Sequence, residues 1–118
     1  MGPVELVTST ETVDGAVVVS VQGDVDLASS PELRRVLDEA LNRSARVQLE
    51  LAGLTFIDSS GLSALVEAHR KARDAGGVVV LRNPPSILLR LLDITSLNSL
   101  LVVQSDEGPE TAGDGDEA

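Results

Sequence analysis

The sequence predicts a single α/β domain built on a small, mostly parallel sheet. The chain has 118 residues, a length typical of one compact domain. Apolar residues make up 42% of it, but Phe56 is the only aromatic residue, so the core must be built from aliphatic side chains. Short β-branched runs alternate with segments of helical periodicity. This alternation predicts crossover connections between parallel strands, with the helices packed on the sheet.

An antiparallel hairpin is predicted at the N-terminus. Residues 4–8 and 16–22 have strand composition, and the second run is rich in valine. Asp14-Gly15 precedes this run and is a strong hairpin turn signal. The sheet is therefore expected to be mixed, with its antiparallel pair first.

The first helix is predicted to begin in the segment Ser29-Ser30-Pro31-Glu32. Proline is favoured in the first turn, and glutamate is favoured near the positive end of a helix. Apolar residues then recur at helical spacing, which predicts one buried face. They are Leu33, Val36, Leu37, Ala40 and Leu41.

The remaining elements continue the alternation. Residues 46–51 alternate apolar and polar side chains, as in a half-buried strand, and a short apolar segment follows at 54–57. A second helix is predicted to end at Gly76-Gly77. Residues 78–81 are continuously apolar, which predicts a strand covered on both faces. A short helix at 87–92 and a last strand at 100–103 complete the domain.

Charge and hydropathy exclude several classes of protein. The net charge is −10, and residues 105–118 carry six carboxylates and no Lys or Arg. We expect these residues to form a disordered acidic tail after a domain that spans residues 4–104. The domain has no basic stripe, so no nucleic-acid partner is predicted. No apolar stretch approaches the roughly 18 residues of a membrane span, and a cytoplasmic protein without a membrane partner is expected.

One segment carries the most specific chemical signal. Asp58-Ser59-Ser60-Gly61 follows a predicted strand and opens a helical pattern. A helix N-terminus has free N–H groups and the positive end of the macrodipole, so a serine there can carry a phosphate without breaking the fold. The alternative interpretation is that these side chains only cap the helix, as Ser and Asp often do.

Catalytic and metal chemistry have little support. The only histidine, His69, lies ten residues after Ser59 on the same predicted helix, which is about 15 Å. No base is therefore within reach of this serine, and the chain is predicted not to be an enzyme. Asp24 and Asp26 lack the further ligands of a calcium loop and fit a solvated turn, and no cysteine is present. We expect no metal and no cofactor.

Three stretches resemble one family. The segments 23–27 (Gly-Asp-Val-Asp-Leu) and 56–62 (Phe-Ile-Asp-Ser-Ser-Gly-Leu), and Asn83-Pro84 followed by residues 91–93, resemble motifs of the STAS-domain anti-sigma factor antagonists of bacteria. The resemblance covers residues 4–104 and implies the STAS fold. Two positions depart from it: Ser63 stands where the family commonly has a glycine, and Ser96-Leu97-Asn98 replaces a common Gly-Leu-Asp.

The resemblance implies partner switching. In the family, the unphosphorylated antagonist binds an anti-sigma factor and thereby frees a sigma factor. The anti-sigma factor is often a serine kinase of the histidine-kinase-like ATPase fold, and a PP2C-type phosphatase reverses its action. By this resemblance Ser59 is the phosphorylated residue, and Asp26, Asp58, Ser60 and Gly61 belong to the partner-binding surface. An alternative is a STAS subunit of a stress-sensing or lipid-transport assembly, which acts by docking without phosphorylation.

Overall fold

The computed structural model of the chain describes residues 4–106. These residues form five strands and three α-helices in alternation after an initial hairpin. In chain order they are β1 (Val7–Val13), β2 (Ala16–Val25), α1 (Ser30–Arg43), β3 (Arg46–Ile57), α2 (Ser59–Asp74), β4 (Val78–Arg82), α3 (Ser86–Thr95), a 3₁₀ turn (Leu97–Ser99) and β5 (Val102–Gln104).

The sheet follows chain order, β1-β2-β3-β4-β5. The predicted hairpin is confirmed: β1 pairs antiparallel with β2, and Asp14 and Gly15 have φ of 52° and 81°, the positive values of a type I′ turn. The predicted bounds of the first strand are wrong, because the pairing extends from Val7 to Val13 beside the turn. Strands β2 to β5 are parallel to one another. The predicted α/β class and mixed sheet are confirmed.

All three helices lie on one face of the sheet. Each crossover moves one strand further in the same direction, and right-handed crossovers of this kind place their helices on the same side. Along β4, Val79 and Leu81 are buried, while Val78 and Val80 remain partly exposed. The prediction that this strand is covered on both faces is therefore wrong, because within residues 4–106 only one face carries helices.

The two longest strands project beyond their neighbours. The two predicted segments at 46–51 and 54–57 form one continuous strand, β3, which pairs with β2 as far as Val25 and Ile57. In contrast, β4 ends at Arg82, opposite Glu50. The carboxyl ends of β2 and β3 thus lie side by side at one end of the sheet, followed by α1 and α2.

The chain after β5 is held against the sheet. Asp106 forms an ion pair with Arg82, and the Asp106 N–H donates a hydrogen bond to Asn83 Oδ1 over 2.8 Å. Asn83 Nδ2 also donates to both carboxylate oxygens of Glu50, at 3.2 and 3.1 Å. The predicted tail begins at residue 105, and its residues 107–118 lie outside the described residues. The division into a domain and a disordered tail stays a prediction.

Ser96 adopts a backbone conformation that suits glycine better. It ends α3 with φ 61° and ψ 25°, the left-handed region that costs a non-glycine residue roughly 1–2 kcal/mol. We expect Ser96→Gly to raise the free energy of unfolding by about 1 kcal/mol, and Tm by roughly 4 °C. Thermal denaturation checks this expectation. Ser99→Gly, three residues later and without a positive φ, is the control and should not stabilise the protein.

Candidate functional site

Ser59 is the first residue of α2 and is exposed to solvent. It directly follows Asp58, at the turn where β3 passes into the helix. Its hydroxyl makes no hydrogen bond to any other group within residues 4–106. A side chain that is exposed, unengaged and near the positive end of a helix is well placed to accept a phosphoryl group.

Asp58 is the N-cap of α2. Its Oδ1 accepts hydrogen bonds from the N–H of Ser60 at 2.9 Å, from the N–H of Gly61 at 3.3 Å and from the Ser60 hydroxyl at 2.5 Å. The bond from the Ser60 hydroxyl, together with those from the backbone N–H groups, holds the pKa of Asp58 below its ordinary value. Asp58 therefore stays ionised at neutral pH, and capping occupies Asp58 and Ser60 while it leaves Ser59 available.

Gly61 permits α2 to begin close to the sheet. It is buried, and a Cβ at this position would lie 2.7 Å from side-chain carbons of both Ile57 and Val25. These two residues are the last of β3 and β2. The missing side chain thus sets how closely the serines of the turn approach the ends of the strands. Any contribution of Gly61 to a docking surface is indirect, through this placement.

Asp26 lies beside Asp58 at the end of the neighbouring strand. The Asp58 N–H donates to the carbonyl of Val25 over 3.2 Å, which ties the two turns together. Asp26 Oδ1 accepts from the N–H of Ser29 at 3.0 Å, and the Asp26 N–H donates to the Ser29 hydroxyl oxygen at 3.0 Å. The Ser29 side chain therefore forms its hydrogen bonds within this turn and does not cap α1.

Asp24 performs a structural task. Its carboxylate accepts from the Val4 N–H at 3.0 Å and from the Thr55 hydroxyl at 2.6 Å, so it joins the N-terminal segment to β3. The expectation of a solvated turn is wrong for Asp24, which lies within β2 and accepts hydrogen bonds from residues distant in sequence. Within the part of the chain that the structure describes, no three His, Cys, Asp or Glu side chains come together as a metal site would require.

Two exposed apolar side chains flank the site, and the sequence reasoning did not identify them. Leu27 follows Asp26 and is 77% exposed, and Phe56 precedes Ile57-Asp58 and is 40% exposed. The sequence offered one signal for Phe56, because it is the only aromatic residue and lies two positions before Asp58. Aromatic residues outside the core are often interface anchors. This end of the sheet therefore carries acidic, hydroxyl-bearing and apolar side chains.

His69 is remote from this surface. It is buried on α2, with 5% of its surface exposed, and neither ring nitrogen has a hydrogen-bond partner within the described residues. The expectation that it does not act as a base for Ser59 agrees with this position. Burial, with Arg73 and Arg70 nearby, lowers the pKa of His69 below its ordinary value.

This burial predicts a pH-dependent loss of stability. The unfolded chain binds a proton on His69 near pH 6.5, whereas the folded chain binds it only at lower pH. The free energy of unfolding therefore has its full value above pH 6.5. It decreases as the pH falls through 6.5 towards the lower pKa that His69 has in the folded chain. We expect His69→Leu to stabilise the protein by about 1 kcal/mol at pH 7 and to gain more at pH 5.5. Urea denaturation at both pH values measures this, and equal gains would contradict it.

Known proteins match both the sequence and the fold. The STAS domain family model matches residues 8–108. The anti-sigma-B factor antagonist of Bacillus subtilis (strain 168) is 30% identical over 87 residues, 74% of this chain and 80% of that protein. The anti-sigma F factor antagonist of Paenibacillus polymyxa is 31% identical over 97 residues, 79% of this chain and 81% of that protein.

A solved structure gives the same result. The crystal structure of an anti-sigma factor antagonist from Mycobacterium paratuberculosis superimposes with a TM-score of 0.74 at 25% identity, covering 85% of this chain and 86% of that one. Within residues 4–106 no helix is both long and apolar enough to cross a bilayer. The relatives that match along most of their length are regulators and not enzymes. The chain belongs to the STAS-domain family of anti-sigma factor antagonists.

Proposed function

We propose that this protein is an anti-sigma factor antagonist switched by phosphorylation of Ser59. Unphosphorylated, it binds an anti-sigma factor and releases a sigma factor. One observation carries the proposal: Ser59 is exposed and unengaged at the start of α2, directly after Asp58. The relatives' names support the anti-sigma factor as the partner class.

The capping geometry explains how a phosphate would act. Asp58 already occupies the N–H groups of Ser60 and Gly61. A phosphate on Ser59 therefore gains no cap bond from these groups, and its charge of nearly −2 is directed outward beside two carboxylates. The positive end of the α2 dipole favours a negative charge at this position, so we expect the fold to tolerate the phosphate. The partner surface, fitted to a hydroxyl at this point, then meets an uncompensated charge and dissociates.

The remaining features of the proposal concern the partners and the setting. The anti-sigma factor is a serine kinase of the histidine-kinase-like ATPase fold, and a PP2C-type phosphatase removes the phosphate. The protein acts in the cytoplasm as a binding module, without catalytic activity and without nucleic-acid or membrane partners. Asp26, Asp58, Ser60 and Gly61 form or position the partner-binding surface.

Phosphosite mapping tests the proposal most directly. The purified protein is incubated with ATP and each anti-sigma-factor kinase of the source organism, and the products are mapped by mass spectrometry. We expect a single phosphate on Ser59, retained in Ser60→Ala and absent in Ser59→Ala. Phosphate on Ser60 would overturn the site assignment. Stable docking without any phosphate would favour a STAS subunit of a larger assembly.

Asp26 should contribute charge to docking and little to stability. Asp26→Asn keeps the Oδ1 acceptor for the Ser29 N–H and hydroxyl but removes the negative charge. We expect binding to the anti-sigma factor to weaken about tenfold, equivalent to about 1.4 kcal/mol, while Tm stays within a few degrees of wild type. Isothermal titration with a parallel thermal melt measures both. Unchanged binding would leave Asp26 with only its role in the turn.

A further inference from the structure

A groove extends from Ser59 along the outer face of α2. It has a volume of about 340 Å³, and its wall opposite the helix is Leu97 of the 3₁₀ turn. Ser59, Ser63, Val66 and Arg70 line it at spacings of four, three and four residues, which places them on one stripe of the helix. The apolar middle of the groove is thus continuous with the serine proposed as the switch.

The charges at the two ends of the groove differ in sign. Asp58 directly precedes Ser59 at one end, although the aspartate itself does not line the groove. At the other end, about 16 Å along the helix axis, lies the exposed Arg70. Glu67, which also lines the groove, forms an ion pair with Arg34 of α1. Within residues 4–106, Arg70 itself has no ion pair and no hydrogen bond through its side chain.

We propose that this groove is the specificity-determining half of the docking surface. It accepts an apolar side chain of the anti-sigma factor next to a carboxylate that pairs with Arg70. The proposal rests on the function proposed above, because the groove begins at Ser59 and a partner that senses this residue must cover its opening. The unpaired cation at the far end supplies the charge that the partner complements.

Ser63 adds a steric element to this selection. It is exposed and lines the groove one turn after Ser59. Its hydroxymethyl group narrows the groove there, so a partner with a bulky side chain at this point is excluded. Discrimination between partners by such an obstacle needs no loss of affinity for the correct one.

A matched pair of charge reversals tests the proposal. Arg70→Glu and Arg73→Glu make the same change on the same exposed helix, but Arg73 does not line the groove. The probe is the purified kinase that phosphorylates Ser59 in the mapping experiment. We expect Arg70→Glu to raise Kd at least tenfold in low salt, with a smaller effect in 0.5 M NaCl, and Arg73→Glu to change it less than threefold. Equal effects of the two charge reversals on Kd would refute the groove as the docking site.

Substitutions at Ser63 test the shape of the groove. Ser63→Gln fills it with a neutral, helix-favouring side chain, and should raise Kd about tenfold at unchanged Tm. Ser63→Gly should keep the cognate kinase and increase binding of other anti-sigma-factor kinases. Unchanged Kd in Ser63→Gln would overturn the proposal. Two further outcomes would overturn the proposal. If removal of residues 107–118 strengthens binding of the kinase, the tail occupies the groove. If the protein self-associates and Arg70→Glu abolishes this, a second copy occupies the groove.

The two proposals fail in different ways. If Ser59→Asp releases the kinase while Arg70→Glu and Ser63→Gln do not weaken binding, the switch stands and the groove is refuted. If no anti-sigma-factor kinase binds the wild-type protein, both are refuted.

Discussion

Ser59→Ala should remain bound to its anti-sigma factor, the proposed kinase, in the presence of ATP, where the wild-type protein dissociates. The substitution removes the hydroxyl that accepts the phosphoryl group. It costs little stability, because Asp58 and not Ser59 caps α2. The Ser59 hydroxyl has no partner to lose within the described residues. The variant should behave as a permanently active antagonist, with Kd and Tm equal to those of the unphosphorylated wild type.

Ser59→Asp should show the opposite binding behaviour at similar stability. The added carboxylate lies at the N-terminus of α2, where the helix dipole tolerates it. The same charge faces the partner beside Asp26 and Asp58, and like-charge and desolvation costs should weaken binding about 100-fold. Isothermal titration measures Kd, and thermal denaturation should give a Tm within a few degrees of wild type.

Ser9→Asp is the matched control for this change. Ser9 is an exposed serine of β1, the edge strand at the opposite side of the sheet from β5. The same charge there should leave Kd unchanged. If Ser9→Asp weakens binding as much as Ser59→Asp does, overall charge and not the position of Ser59 controls the partner. If neither variant of Ser59 differs from wild type, Ser59 is not the switch.

Local sequence signals were sufficient for the order and type of the elements. The Asp14-Gly15 turn, the β-branched composition of β2 and the glycines after α2 are each decided by nearby backbone geometry. The class of the fold followed from their alternation. The position of Ser59 at a strand-to-helix junction was predicted for the same reason, since both a strand pattern and a helix start adjoin it.

Features that depend on distant residues were not predicted. The continuous run 78–81 resembles a strand covered on both faces, but coverage is decided by the direction of the crossovers, which the run itself does not encode. Leu97 lines the same groove as Ser59 and Val66, although it is distant from both in sequence. Local hydrogen-bond geometry decides that Asp58 caps α2, since Asp and Ser are both competent caps.

Gly61→Val should destabilise the protein more than any other substitution at the site. Even a single Cβ would lie 2.7 Å from carbons of both Ile57 and Val25, and valine adds two methyl groups. Val25, Ile57 and Gly61 are all buried, so none of them can move without displacing the others. We expect a loss of about 3 kcal/mol, which corresponds to a fall in Tm of roughly 10 °C or more.

Ser63→Val, two residues later, separates this packing effect from helix propensity. It introduces the same β-branched side chain into the same helix, but at an exposed position, where surface substitutions usually change stability by less than about 0.5 kcal/mol. Urea denaturation of both variants measures the difference. If Gly61→Val loses less than about 1 kcal/mol relative to Ser63→Val, the close approach of α2 to the strand ends does not hold the turn in place. The positions of Ser59 and Asp58 beside Asp26 would then need another physical cause.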